Sequence, residues 1–290
     1  MKKNLIDDYF RSIAAIFSVP TFKEIFKSGQ SDYVAETIFH YRSRLSFRKE
    51  VTMKKVLGKA YKHLMHNYRN EYIYKNHIAN NLLLERHKLN EAVMLNELRV
   101  GASIADIVII NGTNTVYEVK TELDSPYKLK KQISDYRKFS PKIYLVTHHS
   151  LVGKYEKILG DDSVGLLSLS SDSGLSVIKE AVEEFSLLDS KTMMNTLRKD
   201  EYSNLLLEAF GDVPKVANIK FYRACLALIE KLDPHFVHAL SLKQLRTRAF
   251  HEERMIQSRE TPEEIKHICL TINPNKTEFQ NLYNFLNLTM

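Results

Sequence analysis

An Asn111-Gly112 dipeptide sits between two β-branched apolar runs, Ala105-Asp106-Ile107-Val108-Ile109-Ile110 and Thr115-Val116-Tyr117-Glu118-Val119-Lys120. A tight Asn-Gly turn between runs of this kind specifies a β-hairpin, which restricts the fold more than any other stretch of the chain. Side chains alternate along a strand, so Glu118 and Lys120 share one face and Val119 points to the other. Asp106, twelve positions before Glu118, lies near the start of the partner strand, where it can meet them. Two carboxylates and an ammonium at one end of a sheet suit a hard divalent cation and a water, and hence hydrolysis of a phosphodiester.

The period of the pattern changes on either side. Residues 1 to about 66 read as helical: Tyr9, Ile13, Ile16 and Phe17 recur at helical spacing, Pro20 interrupts, and Phe22, Ile25 and Phe26 resume. A further helix is expected through Val51, Val56, Leu57 and Leu64, and another from Tyr68 to Leu84. Ala92–Val100 reads as a strand ended by Gly101. Beyond the hairpin come an amphipathic helix from Tyr127 to Phe139, a strand at 142–147, a short helix at Val152–Leu159 and a strand at 164–170. Asp172-Ser173-Gly174 is a turn signal leading to a last strand, Leu175–Ile178. From about 186 the chain reads as helical to its end, punctuated by prolines. The expected class is α/β (α+β), a mixed central sheet flanked by helices. Its expected segments are a helical region 1–66, a core 67–185 and a helical region 186–290.

Composition sets limits. Of 290 residues, 44% are hydrophobic and 27% charged, which suits a globular protein with a real core. No run reaches the roughly 18 apolar residues that span a bilayer, and the charged start is followed by no apolar leader core. The expectation is a cytoplasmic protein without a membrane role. Cys225 and Cys269 are too few and too far apart for a disulfide scaffold or a structural zinc.

The net charge of +7 is concentrated. Ten basic residues lie between Arg42 and Lys75, namely Arg42, Arg44, Arg48, Lys49, Lys54, Lys55, Lys59, Lys62, Arg69 and Lys75, opposed only by Glu50 and Glu71. Such a segment fits a polyanion, because phosphate contacts release counterions and supply affinity without sequence preference. Tyr41, Tyr61, Tyr68, Tyr72 and Tyr74 interleave with these charges, as rings that stack on bases or as core or interface residues. A solvated helix face is the plainer reading of the same run.

With Asp106 on one strand and Glu118-Val119-Lys120 on the next, the element order resembles the PD-(D/E)XK nuclease superfamily, whose fold is restriction-endonuclease-like. Lys128, Gln132 and Tyr136 on the following helix resemble the Q-x-x-x-Y element of several branches, and the resemblance covers roughly 66–180. It implies a little-characterised bacterial branch. In such a protein Asp106, Glu118 and the Val119 carbonyl hold Mg²⁺ or Mn²⁺. Lys120 orients the attacking water or stabilises developing charge, and Gln132 positions the phosphate or the water. Glu71, on the helix before the sheet, is the expected additional acid, with Glu85 and Glu97 as rivals. Lys54, Lys55, Lys59, Lys62, Arg69, Lys75 and Lys128 are the expected nucleic-acid contacts.

Each residue also has a plainer role. Glu118 and Lys120 make a surface pair, Asp106 a turn residue, Glu71 and Gln132 solvent-facing side chains, and Asp124 a residue near a helix start. Of His148 and His149 at most one faces the site, and neither is assigned a role. DNA is the favoured substrate over RNA, and a part in bacterial or phage conflict goes with the family type. A non-catalytic nucleic-acid-binding module on the same fold and an interaction protein with a structural sheet are the other classes. The C-terminal helices are open to dimerisation, to covering the site, or to a protein partner.

Overall fold

The computed structural model describes residues 2–47, 50–160, 163–170 and 174–290, with side chains from residue 8 onward. Arg48 and Lys49 of the basic run, and Asp172 and Ser173 of the expected turn, lie outside the described residues. The protein is mixed α/β, with fourteen α-helices and a six-stranded mixed sheet among the described residues and helices at both ends. Its contacts cluster into two compact units, Met1–His87 with Ser171–Gly174 and Phe250–Met290, and Lys88–Ser170 with Leu175–Ala249. No described helix is long and apolar enough to cross a membrane.

The first unit contains α1 (Lys2–Ile16), α2 (Val19–Ser28), α3 (Asp32–His40), α4 (Met53–Asn67) and α5 (Glu71–Ile78), and later α12 (Glu253–Gln257), α13 (Lys266–Ile272) and α14 (Lys276–Asn287). Pro20 does not merely interrupt. It sits in the first turn of α2, where its missing N–H costs nothing, while Ser18 caps that turn through the Thr21 N–H. The long helix expected from Tyr68 starts instead at Glu71 and ends in a π-helical turn, Ala79–Leu84. The segment after α14 is tied to the start of α4, because Thr52 bridges Thr289 and the Met53 N–H donates to the Leu288 carbonyl at 2.8 Å. Asn76, 2% exposed, donates to the Tyr61 hydroxyl and the Glu263 carbonyl and accepts from the His267 N–H. A buried amide with this many partners fixes α5 against α13 without leaving a polar group stranded.

The second unit is built on β1 (Val93–Val100), β2 (Ser103–Asn111), β3 (Thr113–Lys120), β4 (Lys142–His148), β5 (Gly165–Ser170) and β6 (Gly174–Lys179). These lie side by side in sequence order. β1, β2 and β3 are antiparallel neighbours, while β3, β4 and β5 run parallel. Parallel neighbours need crossovers. Those are supplied by α6 (Leu129–Tyr136), preceded by a 3-10 turn at Pro126–Lys128, and by α7 (Val152–Leu159). β4 is buried almost throughout, as a strand inside a covered parallel sheet should be. The helices α8 (Ser190–Asn195), α9 (Lys199–Phe210), α10 (Asn218–Ile229) and α11 (Pro234–Arg246) complete the unit, with α8 against β1 and α11 against β3.

The turn between β2 and β3 closes through Gly112 at φ 73°, a left-handed conformation that glycine adopts without a Cβ penalty. β2 is longer than the hairpin pattern suggested, so Asp106 lies inside the strand. The β2–β3 ladder nevertheless stops at Ile107 opposite Tyr117. From there the two strands part, although each stays paired with its outer neighbour. Opposite Asp106 on β1, Glu97 has φ 54°, and the ladder skips that pair. A left-handed residue in mid-strand costs about 1–2 kcal/mol.

Candidate active site

Continuing the β2–β3 register by one step past Ile107 sets Asp106 opposite Glu118, on the same face of the sheet. Because the ladder has ended, the Val119 N–H has no partner on the β2 backbone. The Asp106 carboxylate accepts it at 2.8 Å, so the side chain replaces the missing ladder bond. Asp106 remains half-buried.

Glu118 is 1% exposed and Lys120 8% exposed. Oε1 of Glu118 accepts from the Lys120 ammonium and from Gln132 Nε2 at 2.5 Å; Oε2 accepts from the Tyr136 hydroxyl at 2.7 Å. An ionised carboxylate is affordable this deep only with such partners. Gln132 and Tyr136 are one turn apart on α6, which packs along β2, and the Tyr136 hydroxyl also contacts the Ile104 carbonyl at 2.7 Å. Burial pushes the Tyr136 phenol well above its ordinary pKa, and the Glu118 and Asp106 charges push it further. Both carboxylates therefore act on the same hydroxyl. The Gln132 Oε1 atom is buried and accepts no hydrogen bond.

The neighbouring loops are equally ordered. Thr147, opposite Lys120 in the parallel register, donates its hydroxyl to the Lys120 carbonyl at 2.7 Å. Asp124 accepts from the Thr121 N–H at 2.7 Å and from its hydroxyl at 2.8 Å, which makes it the organiser of the turn after β3. Also on α6, Asp135 takes the Ser103 hydroxyl at 2.6 Å and the Lys131 ammonium at 3.0 Å. Burial alone would raise its pKa, but these partners outweigh that and lower it. His148 is buried with Ser150 at 2.8 Å and lies 3.7 Å from Glu122, whereas His149 is exposed.

The structure thus brings Asp106, Glu118, Val119, Lys120 and Gln132 together. Glu71 lies in the first unit, exposed, with its carboxylate on the Lys75 ammonium. That pairing removes Lys75 from the expected phosphate contacts: it is 6% exposed and offers no charge to the surface. In the same unit Lys54 and Lys62 are exposed, as is Lys55, while Lys59 is half-buried beside the Phe47 ring. Arg69 is half-buried and caps the end of α4 through the Met65 carbonyl. Lys128, in the second unit, is exposed. Of the tyrosines, Tyr61 and Tyr74 are core residues, and Tyr72 stacks on Phe17. Glu85 accepts from Asn81, and Glu97 is exposed. Thr147 and Ser103 were not legible as site neighbours, since only the strand order and register place them there.

Two hard oxygen donors at the mouth of splayed strands have the chemistry for a divalent cation, and a buried acceptor without a donor at Gln132 suits a bound water. Among the described residues no three His, Cys, Asp or Glu side chains gather into a metal group. Any cation here would rest on two carboxylates and main-chain or water oxygen.

No curated protein matches this chain. A solved structure of a protein of unknown function from Silicibacter pomeroyi is 13% identical with a TM-score of 0.32, covering 48% of this chain and 90% of that one. A family model described as bacteriophage P4 protein cII matches residues 65–271, well over half of the chain and the whole of the Asp106–Tyr136 centre. The chain belongs to the bacteriophage P4 protein cII family.

Proposed function

We propose that the chain is a metal-dependent nuclease of the PD-(D/E)XK type that hydrolyses phosphodiester bonds, DNA being favoured over RNA. The observation that carries this reading is the buried Glu118 carboxylate, held by Lys120, Gln132 and Tyr136 beside Asp106 where β2 and β3 part. A structural salt bridge needs no second carboxylate at the strand opening. Asp106, Glu118 and the Val119 carbonyl would hold Mg²⁺ or Mn²⁺, which when bound would activate a water and polarise the phosphate. Lys120 keeps a cation beside the carboxylates in a low-dielectric setting, where it stabilises developing negative charge. Gln132 holds Glu118 through its N–H and presents its free oxygen to a water proton. Tyr136 fixes the second Glu118 oxygen and so limits how the carboxylate can turn.

The test is degradation of plasmid and of single-stranded DNA in Mg²⁺ or Mn²⁺. Asp106→Asn, whose amide oxygen still accepts from Val119, should fold as the native protein does and lose at least a hundredfold in rate. Unchanged cleavage in that variant would refute the assignment. One observation favours a second reading. Glu118 already accepts three hydrogen bonds, which suits a non-catalytic nucleic-acid-binding module built on the same fold. Binding without cleavage under either metal would select it, and degradation of RNA alone would make the protein a ribonuclease.

A further inference from the structure

Between Lys120 and Gln132, both bonded to Glu118, the chain makes a short connection that leaves an aromatic ring exposed. Tyr127 is 91% exposed and Leu123, on the same connection, 69%. A tyrosine ring left almost wholly in water keeps its apolar area open to a stacking partner, and covering it would gain free energy. The connection holds its shape: Asp124 closes the turn on Thr121, Ser125 caps the 3-10 turn through the Tyr127 N–H, and Pro126 fixes the backbone before Tyr127. A ring on a stiff turn loses little entropy when something stacks on it.

The surrounding charge selects the occupant. Lys128 and Lys130 are exposed beside Tyr127, and Lys131, paired with Asp135, keeps its side chain 63% exposed. The acids nearby are engaged. Asp124 holds the turn, Asp135 takes Ser103 and Lys131, and Glu122 lies beside His148. An exposed ring flanked by lysines is the arrangement that binds single-stranded nucleic acid, in which bases stack on aromatics while cations follow the backbone. A duplex keeps its bases stacked on one another and offers no free face to the ring.

We propose that Tyr127 is a stacking platform for an unpaired base, that Lys128 and Lys130 contact the adjoining phosphates, and that the strand the site handles is single-stranded. The inference rests on reading the Glu118 centre as a nucleic-acid site. It is tested by fluorescence anisotropy in EDTA, with labelled oligothymidylate and oligouridylate of about 15 nucleotides and a blunt duplex. Tyr127→Ala should weaken single-strand binding roughly 5- to 150-fold, Tyr127→Phe should stay within about twofold, and the duplex should be little affected. Lys128→Gln should lower the salt slope by about 0.7. Comparison of the two oligomers tells DNA from RNA. Tyr127→Ala that binds as the native protein does, Tyr127→Phe as weak as Tyr127→Ala, equal losses on the duplex, or no single-strand binding at low salt would each overturn the proposal. Because the assay excludes metal, a protein that binds through Tyr127 yet never cuts refutes hydrolysis alone, while one that cuts without needing Tyr127 refutes stacking alone.

Discussion

His238 on α11 should make the second unit sensitive to mild acid. Its Nε2–H donates at 2.8 Å to the Asn114 side-chain Oδ1, and Asn114, fully buried, donates its side-chain Nδ2–H to the Phe139 carbonyl. The pair fastens α11 to the start of β3. Burial, with a smaller contribution from the nearby His235, lowers the His238 pKa from 6.5 to about 4. The folded protein therefore keeps the ring neutral where the unfolded chain has already taken up a proton, so stability falls as pH drops from 6.5 toward 4 and levels off below. Between pH 7 and pH 5 the loss from this one residue comes to about 2 kcal/mol. Urea unfolding followed by circular dichroism measures it, which is convenient in a chain with no tryptophan. Native protein and His238→Gln are compared at both pH values. Every other titrating group is common to the two proteins, so the native protein should lose about 2 kcal/mol more than the variant. Equal losses would mean that His238 titrates normally and that its burial is not what the structure describes.

Other outcomes follow from geometry alone. Gly165→Ala would set a Cβ against the Tyr144 ring and 2.7 Å from the Ala181 nitrogen, and should destabilise by about 1–3 kcal/mol in the same urea assay. Arg248 grips Glu201 with two bonds of 2.7 and 2.6 Å, and Glu201 is only 7% exposed. Arg248→Ala strands that carboxylate, at a cost of about 3–5 kcal/mol, and Glu201→Gln in the same chain should recover part of it. His267 in the first unit, held down to about 3 by burial, should add its own acid sensitivity below pH 6.5, removed by His267→Gln.

Much of the architecture was legible because periodicity and turn chemistry agree along the chain. The helix expected at Val152–Leu159 is found at those residues, and the Asn111-Gly112 turn joins two strands as its flanking β-branched runs demand. What was not legible depends on partners distant in sequence. Tyr68 to Leu84 carries a helical pattern, yet the helix waits until Glu71, and its last turn widens to π geometry. Lys75 reads as one more charge in a basic run, and only the folded unit shows it buried on Glu71. Arg248 has Glu252 and Glu253 close by in sequence, yet its partner is Glu201, far back in the chain.

The candidate site marks the same boundary at finer scale. Alternation along β3 was enough to put Glu118 and Lys120 on one face, and helical spacing was enough to put Gln132 and Tyr136 one turn apart. Neither says that β2 and β3 part beyond the Ile107–Tyr117 pair, since strand alternation continues through Asp106 on one side and Glu118 and Lys120 on the other. The parting matters because it leaves the Val119 N–H without a ladder partner and draws the Asp106 carboxylate onto it. Were the ladder to continue, that N–H would pair with the β2 backbone, and the Asp106 carboxylate would lose the hydrogen bond that now holds it at the strand opening. A site of this kind therefore comes from a local failure of strand pairing, which a residue pattern that favours pairing throughout cannot announce.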